Sequence, residues 1–130
     1  MADDNLEGGA GKRKPYTFET SPAVDYQGEY LELLCPRCSS SYLHHESVVA
    51  YDRKEDDPVT TRTEVGAADL SRRQEVSALS HNPSSRRHGI AIRFSCEECC
   101  LHEMGEDPAF ELTMAQHKGV TQVMWRRYIP

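Results

Sequence analysis

Two Cys-x-x-Cys pairs, Cys35-Pro36-Arg37-Cys38 and Cys96-Glu97-Glu98-Cys99, constrain this chain more than any other feature. A four-residue knuckle brings two thiolates to neighbouring vertices of a metal tetrahedron, and its backbone N–H groups can donate to the sulfurs. Each pair follows an apolar segment. Glu29-Tyr30-Leu31-Glu32-Leu33-Leu34 leads into the first, and Ile90, Ile92 and Phe94 alternate with Ala91, Arg93 and Ser95 before the second. Each knuckle is therefore expected at the end of a strand. Two strand ends that meet in space close one four-thiolate site.

The expected ligands are Cys35, Cys38, Cys96 and Cys99, holding one structural Zn2+. Cys100 competes with Cys99, and the four-residue spacing favours Cys99. His44, His45 and His102 are near enough in sequence to be substitute ligands. Buried thiols and a redox pair are the alternatives, and two pairs that each follow a strand weigh against both. The 57 residues between Cys38 and Cys96 are far more than the commonest zinc fingers place there. A sheet inserted between the knuckles accounts for them.

A chain of 130 residues with 38% apolar and 28% charged side chains makes one domain with a small core, the situation in which a metal commonly supplements packing. Five cysteines, an odd number, suit a disulfide framework poorly. No apolar run approaches the roughly 18 residues of a membrane span. Met1-Ala2-Asp3-Asp4-Asn5 lacks the basic-then-apolar pattern of a secretory signal. A cytoplasmic protein with no membrane partner is expected.

The fold class expected is mainly β: a small antiparallel sheet of about five to six strands with a disordered N-terminal tail. Residues 1–27 read as that tail, with the flexible Gly8-Gly9-Ala10-Gly11 and the basic Lys12-Arg13-Lys14. Residues 28–130 read as the zinc-bearing β domain. Within it, Val48–Arg53 and Val59–Val65 form a hairpin around Lys54-Glu55-Asp56-Asp57-Pro58, with Val59, Thr61, Thr63 and Val65 on one face. Residues 66–89 show no period and are expected to be a long mobile loop. Phe110, Leu112 and Met114 begin a second hairpin that turns at Gln116-His117-Lys118-Gly119 and returns through Val123 and Trp125. Gly119 there supplies the positive φ of a short hairpin with a bulge.

The two knuckles and their flanking strands, roughly a third of the chain, resemble the rubredoxin-like zinc-ribbon class. That class holds a metal between two knuckles above a small antiparallel sheet. Ser39 stands where the class usually has glycine after a knuckle, and Cys100 follows the other pair. Asn82-Pro83-Ser84-Ser85-Arg86-Arg87 and Gln116-His117-Lys118-Gly119 also resemble stretches of small uncharacterised bacterial and phage-type zinc-ribbon proteins. The resemblance implies a contact module for nucleic acid or protein, or a structural part of a larger assembly.

A formal charge of −6 argues against coating nucleic acid non-specifically, so such binding needs a local basic patch. Arg86, Arg87, Lys118, Arg126 and Arg127 are the candidates, with Trp125, Tyr128 and His117 near in sequence for stacking on bases. The leading expectation is a zinc-stabilised module that contacts nucleic acid through this patch. A protein-interaction or structural module is the alternative, and a small zinc-dependent enzyme the alternative of another class. No phosphate loop, His-Glu-x-x-His or Gly-x-Ser-x-Gly is present, and four thiolates leave zinc no open position, so no catalytic residues are expected.

Overall fold

A computed structural model of the chain describes residues 19–66, 69–98 and 110–127. Nine strands run through them: β1 (Glu19–Thr20), β2 (Val24–Gln27), β3 (Tyr30–Leu33), β4 (Leu43–Asp52), β5 (Val59–Gly66), β6 (Asp69–Val76), β7 (Gly89–Cys96), β8 (Phe110–His117) and β9 (Val120–Arg127). The protein is mainly β, and every strand pair is antiparallel. Seven strands make one sheet in the order β1-β9-β8-β7-β4-β5-β6, and β2 and β3 form a separate hairpin. Two consecutive meanders, β4-β5-β6 and β7-β8-β9, are thus joined through β4 and β7. Among the described residues no helix is long and apolar enough to cross a membrane.

Both expected hairpins form. Asp57 and Pro58 end the turn between β4 and β5, where the Asp57 side chain accepts a hydrogen bond from the Val59 N–H at 2.9 Å. The second hairpin closes more tightly than expected. His117 pairs directly with Val120, and the two turn residues Lys118 and Gly119 both have positive φ, 50° and 86°. That is a two-residue turn whose twist matches its strands, with no bulge. The bulge lies instead in β4, between His45 and Ser47.

Two expectations about irregular chain give way to strands. Asp69–Val76, inside the stretch read as a loop, pairs with β5 along its whole length. A single 3-10 turn at Ser77–Leu79 follows it. β6 is exposed on both faces apart from Glu75, so no apolar alternation betrayed it. Val24–Gln27, inside the stretch read as tail, is likewise wholly exposed and held by pairing with β3 across a turn at Gly28 (φ 73°).

The two faces of the sheet differ. On one, Phe94, Phe110, Leu112 and Trp125 gather with Cys35 and Cys96, and Leu33 and Leu43 pack against them. Phe94 and Phe110 both meet Trp125 edge-on, with ring centroids 5.4 and 5.3 Å apart, a geometry that aligns ring edges with ring faces. On the other face Val49, Tyr51 and Ala91 form a smaller cluster. The larger core lies directly beneath the cysteines, so packing and the cysteine site share one end of the sheet.

Candidate metal centre

The first knuckle follows β3. The Cys35 N–H donates to the Ser40 carbonyl at 2.8 Å, the Ser39 N–H to the Cys35 carbonyl at 2.9 Å, and the Arg37 N–H to the Cys35 thiol at 3.4 Å. This tight reversal needs a left-handed residue just after Cys38, and Ser39 supplies it with φ 65°. Glycine would take that conformation without a Cβ penalty. The second knuckle begins at the end of β7, where the Glu98 N–H donates to the Cys96 thiol, as Arg37 does to Cys35.

Strand pairing brings the knuckles together. Leu43 is registered against Cys96, and the Glu97 N–H donates to the Tyr42 carbonyl at 3.1 Å. The chain between Cys38 and β4 is short, so this register holds the two knuckles side by side. The thiol sulfurs of Cys35, Cys38 and Cys96 all lie within 4.8 Å of one another. The Cys38 and Cys96 sulfurs are 3.6 Å apart, far beyond the roughly 2.05 Å of a disulfide. With metal–sulfur bonds near 2.3 Å, a tetrahedron has sulfur–sulfur edges of about 3.8 Å. Three cysteines are thus close enough to hold a metal ion. Cys99, the expected fourth ligand, and its competitor Cys100 lie outside the described residues, as does His102.

Cys35 and Cys96 are buried and Cys38 is exposed. Burial pushes the Cys35 thiol up to about 12, against smaller opposing effects of N–H donors from Arg37 and Cys38. Burial also raises Cys96. Without a cation this pocket opposes thiolates; a bound metal would reverse that preference. The nearby histidines are otherwise engaged. His44 contacts the Glu97 carboxylate, and the His45 ring meets Phe94 edge-on.

The basic residues singled out from sequence divide. Arg86, Arg87, His117, Lys118 and Glu55 line one cleft of about 190 Å³ at the β8–β9 turn. There Arg86 is tied to Glu55 at 2.7 Å and to Asp56 at 2.7 and 3.0 Å. Arg126 lies apart, 8% exposed and paired with Glu111 across β8 and β9. The Arg127 side chain and Tyr128 are outside the described residues. Trp125 is fully buried in the core and presents no surface for stacking.

Sequence reasoning missed the polar basin on the second face of the sheet. Tyr51, Arg62, Glu64, Arg93 and Glu111 share it with His81 from the connection after β6. The alternation of charged residues in β5 was a signal for it, but only the register of four strands assembles it. No protein-family model, curated protein or solved structure matches the chain, so the cysteine cluster rests on its own geometry.

Proposed function

We propose that the protein is a zinc-stabilised binding module of the zinc-ribbon kind, with Cys35, Cys38, Cys96 and Cys99 as the four thiolate ligands of one structural zinc ion. The observation that carries this reading is the convergence of three thiols, from knuckles far apart in sequence, at separations that suit tetrahedral metal–sulfur bonding. Zinc matches an all-thiolate tetrahedral set, and such a site is closed to water and substrate. The role is therefore to hold the β3 and β7 strand ends together, and the module acts by binding rather than by catalysis. Elemental analysis of purified protein tests the reading: about one zinc per chain is expected, and a metal-free, fully folded chain overturns it.

A nucleic-acid contact is the second reading, favoured by the cleft that collects Arg87, His117 and Lys118 at one end of the sheet. Its cationic surface is smaller than the full set of basic residues, because Arg86 is held by two acids and Arg126 is buried. Alanine at Arg87 and Lys118 should weaken retention of single-stranded RNA or DNA and flatten its salt dependence. If the intact protein shows no salt-sensitive retention at low ionic strength, protein contact stands alone.

A further inference from the structure

β6 ends the seven-stranded sheet on one side, and among the described residues nothing pairs with its outer edge. The opposite edge is the two-residue β1. β6 is eight residues long and pairs with β5 in continuous register, without bulge or proline. A straight edge of about 26 Å with unpaired backbone donors and acceptors is a template for another strand.

The side chains along this edge define what it would accept. On one face β6 presents Leu70, Arg72, Gln74 and Val76, opposite Val65, Thr63, Thr61 and Val59 of β5. The apolar pairs Leu70–Val65 and Val76–Val59 are exposed and flank Arg72. Arg72 makes no ion pair among the described residues, whereas Arg73 on the other face is compensated within its own strand by Glu75 at 2.6 Å. A second copy fits poorly: antiparallel pairing of two β6 edges keeps each face on its own side, so the two longest registers set either Arg72 opposite Arg72 or Arg73 opposite Arg73, and like charges in that position repel.

We infer that the outer edge of β6 is a strand-addition site for an extended peptide in which an acidic side chain is flanked, at alternate positions, by apolar ones. The acid faces Arg72, one apolar group lies opposite Leu70 and the other opposite Gln74, diagonal to Val76, and backbone hydrogen bonds carry the register. This rests on the binding-module reading and names its partner by chemistry.

The probe is a dye-labelled heptapeptide, acetyl-Thr-Val-Thr-Glu-Thr-Val-Thr-amide, titrated into the full chain as purified, with no metal or chelator added, and followed by anisotropy. Saturable binding is expected, with slowed amide exchange in β6. Arg72→Glu should weaken it about tenfold and should restore binding to the same peptide carrying Lys for Glu. N-methylation of the central Thr-Glu-Thr amides should abolish it. No binding at millimolar peptide, undiminished binding of the methylated peptide, or a chain dimer that blocks the edge overturns the inference. Zinc content of the same sample separates the two readings. Peptide binding without zinc sustains the edge site and removes the metal reading, while zinc without peptide binding removes the edge site alone.

Discussion

Arg126 on β9 and Glu111 on β8 face each other across the strand pair, joined by a 3.1 Å hydrogen bond from the guanidinium Nε to a carboxylate oxygen, with the two residues 8% and 4% exposed. The same guanidinium donates through Nη2 to the His81 carbonyl at 2.6 Å, which ties the connection after β6 to the sheet. Removing one partner leaves the other charge buried. Glu111→Ala should therefore cost about 3–5 kcal/mol in urea unfolding, whereas a double replacement of Glu111 and Arg126 by Met should recover most of it. Equal loss in the single and double variants would show that the pair does not act as a unit.

Loss of the proposed zinc ion has a built-in reporter. Trp125, the single tryptophan, is fully buried against Phe94 and Phe110, in the same cluster as Cys35 and Cys96. A strong chelator should red-shift its fluorescence and melt the strand signal in circular dichroism, because metal binding free energy contributes directly to folding. Cys99→Ser should lose the zinc and Cys100→Ser should keep it; the reverse outcome would move the fourth ligand to Cys100.

Ser39 holds a left-handed conformation at the end of the first knuckle. Glycine there should raise stability by roughly 0.5–1 kcal/mol, the relief of the Cβ penalty less the added freedom of the unfolded chain. A β-branched valine should lower it and weaken metal retention in a chelator competition. Measured midpoints that rank valine above glycine would show that the positive φ carries no strain.

His81 has its protonation opposed, first by burial and then by the positive charge of Arg126, so it titrates below its ordinary 6.5. The unfolded chain binds that proton more readily. The contribution to stability is then complete above pH 6.5 and is lost as pH falls through the depressed folded value. Between about pH 7 and about pH 5 the melting temperature should fall for the native chain and fall less for His81→Gln, which keeps the backbone bond to Arg126. Parallel curves for the two proteins would exclude His81 as the cause.

Local pattern alone carried much of this protein. The alternation of Ile90, Ile92 and Phe94 and of Phe110, Leu112 and Met114 marked β7 and β8, because one face of each is buried. Turn chemistry at Lys54–Pro58 and at Lys118-Gly119 located two hairpins, and the spacing of Cys35, Cys38 and Cys96 marked them as potential ligands before any geometry was known. β2 and β6 were not legible, since a strand exposed on both faces has no period and is held by backbone pairing that any polar sequence permits. The fate of the arginines was equally a tertiary matter. Arg86 and Arg126 look alike in sequence, yet one is tied at the surface to Glu55 and Asp56 and the other is buried against Glu111. A charged side chain's role depends on which strands lie beside it, and strand order is decided by non-local packing. The same holds for the cysteines: sequence named the residues, and only the β4–β7 register could bring knuckles 57 residues apart within reach of one ion.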